Sequence, residues 1–115
     1  APLRPYVEDV VKAALANEMP PLTCLNVNFP ALQEFRGVRI CRMGHCRWIN
    51  EFEKCEIPGR GTFYFLTGNY TDTDPGAKDT DSHALTEGYV AVTPTTLDVT
   101  SSELFNGVKG WGIER

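Results

Sequence analysis

Several features that would announce a chemistry are missing. The four cysteines, Cys24, Cys41, Cys46 and Cys55, show no CxxC spacing, and the two histidines, His45 and His83, form no HxxxH pair. A structural zinc site therefore has no recognisable frame; the nearest grouping, Cys41, His45 and Cys46 with Cys55, reads more simply as reduced thiols lining strands. No apolar run approaches the roughly 18 to 20 residues of a membrane span, and no basic, apolar, small-residue leader opens the chain. The expected compartment is the cytoplasm, where thiols stay reduced. Eleven basic against 15 acidic side chains give a net charge of -4, which argues against binding a nucleic-acid duplex or an anionic membrane through net charge. The GxSxG, GxxxxGK[ST], HExxH and GxGxxG patterns are all absent, and neither histidine has a convincing partner nearby in sequence.

What is present is the composition of an ordinary globular domain. The 115 residues are 42% apolar and 23% charged, enough for one domain that buries roughly 65% of its unfolded surface. The chain begins at Ala1 without an initiator Met, so a processed protein or a fragment is expected. Tyr6, Val7, Val10, Val11, Ala14 and Leu15 recur at helical spacing, predicting an amphipathic helix from Pro5 to about Asn17 that Pro20-Pro21 cannot continue. Leu25, Val27 and Phe29 then alternate with Asn26 and Asn28, the period of a strand with one buried face.

A second strand is expected over Gly37 to Cys41. Arg47 to Cys55 and Thr62 to Thr67 are rich in aromatic and β-branched residues and flank Pro58-Gly59-Arg60-Gly61, which predicts a long β-hairpin. Such a ribbon, carrying Trp48, Ile49, Phe52, Phe63, Tyr64 and Phe65, cannot bury both faces against itself; it is either an intersubunit arm or part of an internal sheet. Residues 69 to 81 read as an acidic, turn-rich loop whose spacing fails the EF-hand pattern. Asp79 or Thr80 is placed to cap a short helix ended by Gly88, and Tyr89 to Val92 reads as a strand closed by Pro94. Thr100 to Glu103 fits a capping box ahead of a terminal helix with Leu104, Phe105, Val108 and Trp111 on one face.

The run Thr80-Asp-Ser-His-Ala-Leu-Thr-Glu-Gly-Tyr-Val-Ala-Val-Thr-Pro-Thr-Thr-Leu-Asp-Val-Thr100 closely resembles the C-terminal signature of the SurE family of stationary-phase survival nucleotidases. Leu25-Asn-Val-Asn-Phe-Pro30, then Gly37 to Cys41, an aromatic hairpin and an acidic loop occur in the same order. The resemblance covers essentially the whole chain. It implies an α/β fold, the C-terminal part of a SurE-like, Rossmann-like fold with a long β-hairpin arm and a C-terminal helix. Within it, residues 1-35 would supply a helix and core strand, 36-68 a strand and the extended hairpin, 69-100 the acidic loop, short helix and strand, and 101-115 the terminal helix.

For function, the resemblance implies a metal-dependent 5'/3'-nucleotidase, a phosphatase acting on nucleoside monophosphates with Mg or Mn. The family's metal is held by an Asn-Asp-Asp-Gly motif in its N-terminal half, and this sequence contains no such motif, so no catalytic or metal residue is carried over and the ligands would lie outside this chain. The chain alone would be inactive and would supply scaffold and self-association, as part of a dimer or tetramer. Trp48, Phe52, Phe63, Tyr64 and Phe65 are the candidate association residues, and Asp98 and Thr100 the candidate hinge of an exchanged C-terminal tail. The alternative is a free-standing self-association module without catalytic activity.

Overall fold

The computed structural model describes residues 2–114. Helix α1 (Arg4–Ala16) has a proline in its first turn, where the missing N–H is no loss, and ends as Asn17 turns extended. Tyr6 on α1 meets Phe35 edge-on with ring centroids 5.3 Å apart, and Phe35 packs on Phe29 at 5.6 Å. This aromatic trio ties the helix to the end of strand β1 (Thr23–Asn28).

The central sheet has three strands in the order β1, β7, β2, where β2 is Val38–Ile40 and β7 is Val90–Thr96. β1 runs antiparallel to β7, with Leu25 opposite Pro94 and Val27 opposite Val92; β2 runs parallel to β7, with Ile40 beside Val92. Strand β7 therefore does not stop at Pro94, as the sequence suggests, but passes through it. The Val90 N–H donates to the Gly37 carbonyl, and the Val92 carbonyl accepts from the Cys41 N–H. The backbone polar groups of the even-numbered residues thus turn toward β2, and by Pro94 β2 has ended. The proline nitrogen faces a side of the ladder with no bond to lose.

Between β2 and β7 the chain makes one long hairpin from two ladders. β3 (Cys46–Ile49) pairs with β6 (Asn69–Asp72), and β4 (Phe52–Ile57) pairs with β5 (Gly61–Leu66). The strand expected over Arg47 to Cys55 is interrupted at Asn50, whose φ is 54°, opposite Gly68, whose φ is 134°. Register survives the interruption, because Ile49 faces Asn69 before it and Phe52 faces Leu66 after it. The first residues assigned to an acidic loop, 69–72, are in fact the returning strand.

Helix α2 (Asp81–Thr86) begins where Thr80 Oγ1 accepts from the His83 N–H, so Thr80 is the cap. Gly88, at a φ of 85°, lets the chain reverse, and the Tyr89 N–H returns to the Ala84 carbonyl. The core is small: Ala84 of α2 packs with Ala91 of β7 and Cys41, while Val90 and Val92 are also buried. The final helix, α3 (Ser102–Lys109), is capped by Ser101, whose Oγ accepts from the Leu104 N–H at 3.2 Å. The cap thus falls one residue after the expected Thr100.

A radius of gyration of 20.3 Å is well above the roughly 13 Å of a compact chain this long. The arm and the uncovered helices account for it. Along α1 and β1 an open apolar groove of about 500 Å³ is lined by Val10, Val11, Ala14, Leu25 and Val27 among others. No helix among the described residues is long and apolar enough to cross a membrane.

Candidate functional site

The hairpin carries the largest share of unsatisfied apolar surface. Alternation along β4 and β5 puts Phe52, Tyr64 and Leu66 on one face, and Cys55, Ile57, Phe63 and Phe65 on the other. Phe52, Phe63, Tyr64 and Phe65 are all exposed. Both faces of the ribbon therefore present exposed apolar side chains, beside Lys54, Glu56 and Thr62 on the first and Glu53 on the second, a poor state for a free strand pair in water and a suitable one for insertion between other surfaces. Trp48 lies nearer the root on β3, edge-on to Tyr70 across the ladder at 6.0 Å, and is exposed as well. The five association candidates thus lie along one arm, Trp48 on its inner ladder and the other four on its outer one.

At the root the arm meets the segment leading into α2. Arg42 and Thr80 form a parallel bridge, with the Arg42 N–H donating to the Asp79 carbonyl and the Asp81 N–H to the Arg42 carbonyl. The Arg42 side chain donates to Asp79 at 2.9 Å and lies 3.5 Å from Asp74. The hydrogen bond from Arg42 holds the Asp79 carboxyl below its ordinary value. The Tyr70 hydroxyl donates to Cys46 Sγ at 2.7 Å, and that bond, with burial second, pushes its pKa up to about 12.

The tail candidates come together locally. Asp98 Oδ1 accepts from the Thr100 N–H at 2.9 Å, a turn that breaks the chain between β7 and α3. That backbone bond, followed by one from the Thr100 side chain, lowers the Asp98 pKa. Beyond it, Leu104, Phe105 and Trp111 remain exposed.

The four cysteines are free and sit in different settings. Cys24 meets the Thr95 hydroxyl, Cys41 is buried at the end of β2, Cys46 takes the Tyr70 bond, and Cys55 faces Phe63 out on the arm. Burial, then the Asp81 charge, raise the Cys41 thiol pKa. Among the described residues no group of three or more His, Cys, Asp or Glu side chains is arranged to hold a metal ion. The acidic loop does not fit a divalent cation, because Asp74 and Asp79 are turned onto the Arg42 guanidinium.

Comparison with known proteins locates this geometry. The chain is 43% identical over 110 residues to the 5'-nucleotidase SurE of Phocaeicola vulgatus, covering 96% of this chain and 43% of that protein. The 5'-nucleotidase SurE of Bacteroides fragilis is also 43% identical, over 109 residues, covering 95% of this chain and 43% of its own. The crystal structure of the SurE protein from Aquifex aeolicus superposes with a TM-score of 0.72 at 31% identity, over 90% of this chain and 42% of that one. This is a SurE-like chain. It spans less than half the length of the curated relatives it matches, and no family model matches it. Its mixed α/β fold is similar to that of the matched portion of the SurE structure.

One group of residues in the SurE-like chain escaped sequence reasoning. Gly44, Asp81 and Ser82 converge at the hairpin root, where the Gly44 N–H donates to Asp81 Oδ1 at 2.8 Å. Asp81 and Ser82 lie inside the run that carried the family resemblance, but nothing local in sequence pairs them with Gly44, 37 positions away.

Proposed function

We propose that this chain is a portion of a metal-dependent nucleotidase that removes phosphate from nucleoside 5'- and 3'-monophosphates, and that it supplies scaffold and association elements. The observation that carries the reading is the 43% identity to proteins named 5'-nucleotidase SurE across 96% of the chain. In this reading the chain corresponds to the C-terminal half of the enzyme, and the ligands for a Mg or Mn ion lie outside it. The chain alone is then inactive.

The arm is the association element: Trp48, Phe52, Phe63, Tyr64 and Phe65 meet a second copy in a dimer or tetramer. A ribbon with exposed aromatics on both faces supports this, since burying each aromatic against a partner contributes about 2 kcal/mol or more. Asp98 and Thr100 form the hinge from which α3 crosses to a neighbour, supported by the local bond that fixes the turn and by the exposed apolar face beyond it. The enzyme works in the cytoplasm on mononucleotides, with no role for a nucleic-acid duplex or a membrane. The intact mass of the protein in cells tests the reading: about twice 12.8 kDa is expected, whereas a stable cellular protein of the chain's own mass would favour a self-association module.

A further inference from the structure

Where the hairpin leaves the sheet, separate segments close on a residue with no side chain. Gly44 lies between β2 and β3, and its N–H donates to Asp81 Oδ1 at 2.8 Å. The same oxygen accepts from the Ser82 N–H at 2.7 Å, so one atom at the start of α2 holds both the helix and the approach to the arm. A β-carbon on Gly44 would stand 2.6 Å from Ser82 Oγ, 3.0 Å from Asp81 Oδ1 and 3.3 Å from Cys46 Sγ. A side chain at position 44 would have to displace the Ser82 and Asp81 oxygens that close this contact.

The contact reaches both strands of the root. Ser82 Oγ lies 3.5 Å from Asp72 Oδ2, and Asp72 faces Cys46 across the ladder. The Thr73 N–H donates to the His45 carbonyl at 2.8 Å, closing the hairpin just below. α2 is itself anchored, since Ala84 is fully buried against Ala91 and Cys41 in the core. The outer ladder, by contrast, pairs only with itself. A two-stranded ribbon without a sheet neighbour takes its direction from its root.

We propose that Gly44, Asp81 and Ser82 form a clamp that sets the direction in which the arm leaves the sheet, and so the geometry with which it meets a second copy of this chain. The link to association rests on the arm reading above; the clamp itself does not. The Arg42 pairs with Asp74 and Asp79 brace the same loop from outside, but they are exposed and weak by comparison. The Asp81 bonds are the positioning contact because they join the arm's approach to a helix that cannot shift without opening the core.

The test compares Asp81→Ala with Asp81→Asn in the intact protein, reading amide hydrogen exchange segment by segment. The asparagine keeps an oxygen for both N–H donors and is expected to exchange nearly as the parent does. The alanine is expected to speed exchange at Gly44 and along β3 and β6 by about ten-fold or more, while β4 and β5 keep their rates. Unchanged exchange at the root in Asp81→Ala, or an equal rise across β1, β2 and β7, overturns the clamp. Sedimentation of the same variants, beside Trp48→Ala/Phe65→Ala, separates the two ideas. If the root loosens and association survives in Asp81→Ala but fails in the arm variant, the clamp's link to association is wrong. If neither variant dissociates, the arm reading fails, and the exchange data still decide the clamp.

Discussion

Replacing Trp48 and Phe65 together by alanine separates association from folding, because each side chain leaves more than half of its surface uncovered: 58% for Trp48 and 54% for Phe65. With on the order of 200 Å² per aromatic side chain, roughly 110 Å² of each remains for a partner to cover. At about 25 cal/mol per Å² that is about 2.8 kcal/mol per residue, an upper figure when burial is complete. The pair is therefore expected to weaken association by roughly 3 to 5 kcal/mol, at least about a hundred-fold in Kd. Folding should suffer less. Phe65 stands opposite Glu53, and the edge contact of Trp48 with Tyr70, at 6.0 Å between centroids, contributes about 1 kcal/mol. Sedimentation equilibrium over a dilution series, with circular dichroism and a thermal melt as the folding control, reads both quantities. A folded double variant with the parent's dissociation constant would refute the assignment of the arm as the association surface.

Three further outcomes follow from local geometry. The Asp98 carboxyl has its folded pKa lowered by the Thr100 N–H, so its contribution is present above the unfolded value of about 3.9 and is lost as pH falls through the folded one; the Thr100 amide shift, followed by NMR, should be flat above about pH 5 and titrate below it. Thr80→Ala removes the cap of α2 at a site only 1% exposed, and denaturant unfolding should show a loss of about 1 to 2 kcal/mol. Gly88→Ala forces a β-carbon into a φ of 85° and within 3.3 Å of Leu32; a loss of about 2 kcal/mol is expected, and a thermal midpoint equal to the parent's would contradict the strain argument.

How much of this was legible in sequence depends on how local the determining interaction is. Helix α1, strand β1 and the Thr80 cap follow from periodicity and from side chains that bond neighbours a few residues away, and the structure has them within a residue or two. The path of β7 through Pro94 was not legible, because it depends on where β2 ends, more than 50 residues earlier in the chain. The break at Asn50 was hidden because a non-glycine residue takes positive φ there, opposite Gly68. Strand β6 was masked by its own composition: Asn69 to Asp72 has the polar look of a loop and becomes a strand only by pairing with β3. The α3 cap falls on Ser101 rather than Thr100, whose N–H is held by Asp98 and so is not free for the reciprocal capping-box bond to Glu103. The association candidates were readable as exposed aromatics, but the Gly44 contact needs the fold to bring distant segments together.

The central claim, that this SurE-like chain is the scaffold and association part of a metal-dependent nucleotidase, is tested most directly by phosphate release from a nucleoside monophosphate. The intact protein and the purified 115-residue chain are assayed side by side, with Mn²⁺ and with a chelator. The account predicts metal-dependent release by the intact protein and none above background by the chain alone. Turnover by the repurified chain on the order of 1 per second, or an intact protein that releases no phosphate with either Mg²⁺ or Mn²⁺, would contradict it.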